Sequence, residues 1–383
     1  MKYELITKSG HNMFTMLSLL QKAVRRGDYQ GAGYASSECF WKYHHILWKR
    51  ILTISAEDCW GVVTKEIVAL KYLDDKTGGK DKKYISQAVK ILCENKKSRD
   101  ACYYACNFIL GTIKNATIEL DDSFVRKTQD ECECLADDVF DVVNIGTKNK
   151  PYIKTSCKEG ELFEVPYITM SNEWLMALLR KSIRTLDMEN AGFAINKLLE
   201  YDSYEDIWKV LLVVALNECN GLLAKEIIAL KLADDFVNKD KKFGKRDEIY
   251  ISKSVMILMY YLDGTHESVC GSDRIQYDKI IDRTDEYEDI DECRLPNNEV
   301  PEWVYDVHTI KGKQAGKTDW GMNIVEFEAL KPLQKGYFDD GDWSLRYEYK
   351  WAHNMCSEAE YKAMLEYKKG RKCNPVEKIA DRF

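Results

Sequence analysis

Apolar residues recur along the chain at the spacing of amphipathic helices, with polar residues between them. Val63, Ile67 and Leu70 fall on one stripe of a helix, and the stretch 84–92 repeats apolar residues at every fourth position. A polar, glycine-bearing connection over 74–83 separates the two stretches. The pattern predicts consecutive helix–turn–helix units that pack as an all-α domain.

The strongest organising signal is an internal duplication. Residues 61–71, GVVTKEIVALK, recur 160 residues later as GLLAKEIIALK. Further matches follow in the same order: 22–25 with 181–184, 32–35 with 191–194, 48–51 with 208–211, and 84–86 with 250–252. Ordered matches in separate blocks indicate two copies of one helical unit.

The expected fold is therefore mainly α, with two homologous helical-bundle copies and a mixed, aromatic-rich C-terminal tail. The predicted segments are copy one over 1–115, an irregular acidic linker over 116–170, copy two over 171–270, and an acidic loop with the tail over 271–383. The densely acidic run 282–292 is typical of a solvated loop. The aromatic content of the tail predicts that it packs on the helical body.

Charge and cysteine content narrow the class of protein. A formal net charge of −7 excludes a broadly basic DNA-coating protein but permits a local basic patch. The chain starts without an apolar signal segment, and no apolar stretch approaches the roughly 20 residues of a membrane-spanning helix, so a cytoplasmic location is expected. The 13 cysteines are interpreted as reduced, mostly buried side chains. Because the close pairs at 102/106 and 132/134 have no histidine nearby, we expect neither a metal nor another cofactor.

Basic residues interleaved with aromatic ones are candidates for contacts with DNA phosphates. Segment 40–50 places Lys42, His45 and Lys49 on one helical face and its apolar residues on another. Lysine-rich loops also stand at corresponding places in the two copies. The complete set of candidates is Lys42, Lys49, Lys80, Lys82, Lys83, Lys241, Lys242, Lys245, Arg246, Lys311, Lys313 and Lys317. An ordinary solvated face or loop is the alternative for each of them.

Copy one resembles the C-terminal helical region of the replication-associated recombination protein A family, also called MgsA, which are clamp-loader-like AAA+ ATPases. The resemblance lies in residues 20–28, 32–35 and 85–92, and in a signature turn made by Ser55, Glu57, Asp58 and Gly61. Copy two keeps the frame but departs at that turn, over 217–221. The resemblance implies a role in DNA replication or recombination and a homo-oligomer, in which a dimer would present four units.

The ATPase module of that family is not recognisable in the chain. Residues 312–318, GKQAGKT, have three residues between the glycines where a phosphate-binding loop has four. The leading hypothesis is therefore a non-catalytic, DNA-binding scaffold of replication or recombination, in a form that would suit a phage or mobile element. The alternative is an acidic protein-binding module or inhibitor that docks on a host nucleic-acid-binding protein. A third, enzymatic hypothesis rests on Asp306, His308 and Lys317 alone.

Overall fold

The computed structural model describes residues 5–110, 120–135, 171–219, 221–239, 241, 247–265, 288–317, 319–338, 345–352, 354 and 356–369. Over these residues the chain is mainly helical, as the apolar spacing predicts, and β structure is limited to isolated bridges. The chain divides into two compact units, one made of residues 1–103 with 272–383 and the other of residues 104–271. Among the described residues, no helix is long and apolar enough to cross a bilayer.

The chain begins with five helices: α1 (Met13–Arg25), α2 (Tyr29–Glu57), α3 (Thr64–Lys76), α4 (Lys83–Glu94) and the short α5 (Asp100–Tyr104). Side chains just before α1 and α2 accept hydrogen bonds from unpaired amides of the first turn. Asn12 accepts from Phe14 N, and Asp28 accepts from Gly31 N. Helix α2 contains a kink at Tyr43, whose φ of −128° is not helical.

The second unit contains a π-helical turn (Ala105–Ile109) and then α6 (Asp122–Glu133), α7 (Asn172–Arg184), α8 (Met188–Glu200), α9 (Tyr204–Asn217), α10 (Gly221–Asn238) and α11 (Ile249–Tyr260), which runs into a second π-helical turn (Tyr261–Thr265). Within the stretch 116–170 that the sequence predicts to be irregular, residues 122–133 form α6 instead. Its Thr128 and Cys132 are buried one turn apart, so small side chains build the packed face of this helix. The rest of that stretch, apart from 120, 121 and 134–135, lies outside the described residues.

Between residues 288 and 369, the described residues of the first unit form three 3₁₀ turns (Ile290–Glu292, Pro296–Asn298, Glu302–Val304) and the helices α12 (Ile310–Gln314), α13 (Asp319–Glu328), α14 (Leu345–Ala352) and α15 (Glu358–Lys369). Ile324, Phe327 and Met364 form a small apolar cluster between α13 and α15. Phe338 stacks on Tyr103 with ring centroids 4.4 Å apart. The tail thus contributes to the core of the first unit.

Candidate nucleic-acid interface

The outer face of α2 is polar and partly basic, as the sequence predicts. Trp41, Lys42 and His45 are exposed, whereas Phe40 and Leu47 are fully buried on the opposite face. Burial and the charges of Lys49 and Lys71 lower the pKa of His45 below its ordinary value. The cations around His45 therefore give this end of the face a positive character.

The loop between α3 and α4 brings a further cation to the same face. The Lys82 ammonium lies 5.5 Å from the centre of the Trp41 ring and 5.6 Å from that of Phe40. Lys80, two residues earlier, is exposed, and neither an ion pair nor a hydrogen bond engages its ammonium within the described residues. We call Lys8, Trp41, Lys42, Lys80 and Lys82 the Trp41 patch.

Asp291, which closes one side of the Trp41 patch, comes from the acidic run that the sequence analysis interprets as a solvated loop. It forms an ion pair with Lys82 and accepts a hydrogen bond from the Ser37 hydroxyl. Although burial opposes it, these hydrogen bonds and the charge of Lys8 hold the pKa of Asp291 below its ordinary value. Lys8 is itself exposed, so the patch has more cations than this single carboxylate neutralises.

The described part of that acidic run, residues 288–292, packs on the first unit instead of extending into solvent. Ile290 is fully buried, Glu288 forms a 2.6 Å ion pair with Lys90, and the backbone oxygen of Glu288 accepts a hydrogen bond from Tyr29 Oη at 3.0 Å. The expectation of a solvated loop is therefore wrong for these residues. Lys90 and Lys82, more than 190 residues away in the chain, pair with Glu288 and Asp291, and residues 282–287 lie outside the described residues.

The remaining lysines of the first unit differ in how far they are engaged. Lys42 donates to the backbone oxygen of Ile6 at 2.9 Å and stays exposed. Lys49 is half-buried, and Lys83 pairs with Asp81 at 3.0 Å. Lys83 is thus partly neutralised within its own loop.

In the second unit, only one of the candidate cations is described. Lys241 donates to the side-chain oxygen of Asn238 at 3.2 Å. Lys242, Lys245 and Arg246 lie outside the described residues.

The tail lysines lie around one carboxylate. Lys311 and Lys317 have their ammonium groups 3.7 and 3.2 Å from Glu302, while Lys313 is exposed without an ion pair among the described residues. Lys311 also lies over the Tyr305 ring, 4.0 Å from its centre. These lysines help to fold the segment 302–317 onto itself, which leaves Lys313 as its most available cation.

Asp306 is engaged in holding the tail on α1. Its carboxylate pairs with Lys22 at 2.6 Å and accepts the backbone N–H of His308 at 2.9 Å. Lys22 also donates to the backbone oxygen of Val304 at 2.7 Å. The residues 306–309 form a turn that precedes α12, with Thr309 accepting from Gly312 N at 3.1 Å, so Asp306 acts here as an anchor for the tail.

The signature turn lies inside the first unit. Asp58 is fully buried and accepts from Arg25 Nε at 2.8 Å and from Gln21 Nε2 at 2.7 Å. Ser55, also fully buried, donates to the backbone oxygen of Leu52 at 2.7 Å, and Gly61 adopts a left-handed φ of +66°. The turn thus serves internal packing, and its carboxylates do not point to a surface ligand.

Glu57, beside Asp58, shares the same arginines. Its carboxylate lies 3.2 Å from Arg99 and 3.4 Å from Arg25, and Glu326 of α13 adds a third carboxylate, 2.7 Å from Arg25. Burial and the neighbouring charge of Asp58 raise the pKa of Glu57 to about 7. Despite burial, the two guanidinium groups hold the pKa of Asp58 below its ordinary value. The Asp58 cluster is the name used below for Asp58 and the residues around it: Gln21, Arg25, Glu57, Arg99 and Glu326.

A cleft of about 450 Å³ lies on the first unit, and its lining residues are distinct from those of the Trp41 patch. Its lining includes Arg26, Lys90, Glu288 and Lys331. Lys90 pairs with Glu288, and Arg26 pairs with Glu326 at 3.3 Å while its guanidinium lies 4.2 Å from the centre of the Trp303 ring. Since most of these charges are matched, the cleft offers less net positive charge than the Trp41 patch. The described residues also hold no group of three or more His, Cys, Asp or Glu side chains placed to bind a metal.

The sequence predicts the polar face of α2 but not three residues that the structure places on or beside it, Trp41, Lys8 and Asp291. Trp41 was counted with the aromatic residues of its segment, although it shares the polar face of α2 with Ser37 and His45. A helical projection would have separated it from Phe40. No local signal could have linked Lys8 or Asp291 to this face, because both reach it from distant parts of the chain.

Comparison of the chain with protein-family models, with curated proteins and with solved structures finds no match in any of the three.

Proposed function

We propose that the protein is a non-catalytic scaffold of DNA replication or recombination that binds nucleic acid through the Trp41 patch. The observation that carries the proposal is the set of exposed lysines Lys8, Lys42 and Lys80 around the exposed Trp41 ring, on a chain whose net charge is −7. Phosphates need a local concentration of positive charge, and such a patch supplies it within an acidic protein. The resemblance of copy one to the replication-associated recombination family supports the choice of process.

The helix starts support the part of the proposal that concerns duplication. Helices α1 and α7 begin after Asn12 and Ser171, whose side chains accept from first-turn amides, and end at Arg25 and Arg184. The next helices begin after Asp28 and Asp187, which both accept from the amide three residues on. The two residues of each corresponding pair are 159 positions apart, which is also the offset between the matching sequence blocks in that region.

The turns between these helices also agree. Gly27 and Leu186 occupy the same place and both have left-handed φ values, +64° and +60°. A left-handed leucine is uncommon, so its occurrence at the position of a glycine indicates that the frame dictates the turn. The kink of α2 at Tyr43 corresponds to the break between α8 and α9 at Asp202 and Ser203.

An equivalent ion pair joins the same helices in each unit. Arg25 pairs with Asp58 in the first unit, and Arg184 lies 3.4 Å from Glu218 in the second. Glu218 stands where the duplication register places Asp58. These correspondences support descent of both units from one helical ancestor.

Binding of labelled DNA, followed by fluorescence anisotropy between about 50 and 200 mM salt, tests the nucleic-acid part. We expect affinity to fall steeply with salt. The double variant Lys8→Glu/Lys80→Glu should weaken binding at least tenfold and reduce the salt slope by about 2, since about 1 is lost for each phosphate contact.

The matched control changes the same number of charges elsewhere. Lys127 and Lys362 are 64% and 69% exposed, so Lys127→Glu/Lys362→Glu alters the net charge equally without touching the patch. An equal loss in both variants would show that only overall charge matters. No binding at 50 mM salt would refute the proposal.

The proposal includes a homodimer, which would bring four helical units together. Analytical ultracentrifugation at micromolar concentration measures the mass directly. Twice the chain mass of 44.5 kDa is the expected result, and a single monomeric species would contradict it.

A further inference from the structure

Trp41 is unusually exposed for its size. Its side chain is 65% accessible, whereas tryptophan is on average one of the more buried residue types. The indole makes an edge-to-face contact with Phe40, at 4.8 Å between ring centres and 89° between ring planes. The ring therefore packs against a buried neighbour while much of its surface faces solvent.

The surroundings of this ring are cationic. Lys82 lies over it, Lys42 follows it on the same helix, and Lys8 and Lys80 are exposed on the two segments beside it. The only carboxylate of the described residues seen to pair within the patch is Asp291. An aromatic platform edged by lysines matches a chain that alternates flat bases with phosphates.

We infer that Trp41 is a stacking platform for an unpaired base, and that the patch selects single-stranded over duplex nucleic acid. In a duplex the bases already stack on one another, and only the phosphates remain available to the lysines. In a single strand a base can turn onto the indole while the flanking phosphates meet Lys8, Lys80 or Lys82. This inference rests on the proposed function and specifies its ligand.

The second unit differs at the equivalent positions. The duplication register places Glu200 at the position of Trp41 and Glu248 at that of Lys82. Glu248 is buried, whereas the exposed Glu200 has no aromatic ring and repels phosphates, so the second unit lacks an equivalent stacking platform. The inference therefore also predicts one single-strand site for each chain.

The experiment compares a fluorescein-labelled dT15 strand with a 15-base-pair duplex, at 100 mM salt, for the full-length protein and two variants. Trp41→Ala should weaken binding of dT15 by roughly 5- to 150-fold, the range expected for the loss of one stacked base, and change duplex binding less than twofold. Trp41→Phe should recover part of the loss. Titration of dT15 should saturate at one strand for each chain.

A second exposed tryptophan provides the control. Trp351, 40% exposed in the same unit, stacks on Tyr361 at 4.7 Å between ring centres, and Trp351→Ala should leave dT15 binding unchanged. An unaltered circular dichroism melting curve establishes that Trp41→Ala is folded, as its exposure leads us to expect.

The outcomes separate the inference from the proposed function. If the unaltered protein binds neither DNA, both are refuted. If it binds DNA but Trp41→Ala leaves dT15 binding unchanged, or weakens dT15 and duplex equally, the stacking inference is refuted and the proposed function stands. If Trp41→Ala abolishes self-association with dT15 binding intact, Trp41 belongs to a protein interface and the inference is again refuted.

Discussion

The helix ends that the proposed duplication relates are secured by ion pairs whose carboxylates differ in burial. In the first unit Asp58 is fully buried between Arg25 and Arg99. In the second, Glu218 retains 18% side-chain exposure beside Arg180 and Arg184. A longer carboxylate thus replaces the shorter one, and an arginine at position 180 stands where the first unit has Gln21.

Each cluster also receives a carboxylate from a helix outside the duplicated frame. Glu326 of α13 pairs with Arg25 in the first unit, and Glu131 of α6 pairs with Arg180 in the second. The same need for a counter-charge is therefore met by unrelated segments. Under the proposed duplication, the shared frame sets the position of the arginine, while the residues around it set how far its carboxylate partner is exposed.

The most severe test of this comparison removes the central carboxylate from each cluster. Asp58→Asn leaves Arg25 and Arg99 short of a counter-charge in a buried site, so we expect a loss of about 3–5 kcal/mol in the free energy of unfolding of the first unit. Glu218→Gln removes a carboxylate with 18% side-chain exposure, and Glu131 still pairs with the buried Arg180, so the change should cost about 1 kcal/mol or less in the second unit.

Hydrogen exchange followed by mass spectrometry measures both losses, because peptides from the two units report their opening free energies separately. Each variant serves as the other's control. Equal losses would show that the difference in burial has no energetic consequence.

The pattern of the sequence was sufficient for most helices but not for their partners. The periodicity that predicts the apolar face of α2 is confirmed by the burial of Phe40 and Leu47. Helix α6 was missed because Thr128 and Cys132, on its buried side, are not strongly apolar. Local hydrophobic pattern is therefore informative only where large apolar side chains carry the packing.

The candidate site was less predictable than the fold. A lysine count treats Lys82 and Lys80 alike, although Lys82 is paired with a carboxylate more than 200 residues away and Lys80 has no such partner among the described residues. Pairing over such separations depends on tertiary structure. The acidic run was interpreted wrongly for the same reason, since charge alone does not reveal that Asp291 meets Lys82.

Gly33 and Gly192, which the proposed duplication relates, allow a second comparison of the two units. Each glycine packs closely against a segment outside the matching sequence blocks. A Cβ on Gly192 would lie 2.6 Å from the backbone oxygen of Phe108, and one on Gly33 would lie 2.4 Å from the Cys293 sulfur. A backbone cannot yield as easily as a side chain, so Gly192→Ala should cost about 3 kcal/mol and Gly33→Ala about 1–2 kcal/mol.

Hydrogen exchange measures the loss of opening free energy in both glycine variants. A second substitution tests whether the contact with Cys293 causes the loss in Gly33→Ala. Cys293→Ala removes the sulfur, so adding Gly33→Ala to that background should cost much less than in the unaltered protein. If the cost persists, the contact with Cys293 is not its source.

A smaller effect is expected at the paired tryptophans. The Trp48 indole N–H donates to Asp74 at 2.7 Å, whereas the Trp208 indole N–H has no hydrogen-bond partner among the described residues. Both rings are buried, so a change to phenylalanine removes similar volume in each unit. We expect Trp48→Phe to cost about 2 kcal/mol more than Trp208→Phe, which is the loss of a hydrogen bond to a charged group. Equal costs, measured by chemical denaturation of each variant, would contradict the assignment.

The smallest expected effect concerns the pH response of the Asp58 cluster. Glu57 has a folded-state pKa of about 7, above its ordinary value of 4.5, so the folded protein binds its proton more tightly than the unfolded chain does. The resulting stabilisation is fully present below pH 4.5 and is lost as the pH rises through 7. Glu57→Gln removes this dependence, and because Glu57 keeps 19% side-chain exposure, we expect a difference of the order of 1 kcal/mol. Between pH 5 and pH 8, the free energy of unfolding should therefore fall more for the unaltered protein than for Glu57→Gln. Equal changes in the unfolding free energy of the two proteins would instead mean that the two arginines keep Glu57 ionised as completely as Asp58. Burial would then not raise the pKa of Glu57.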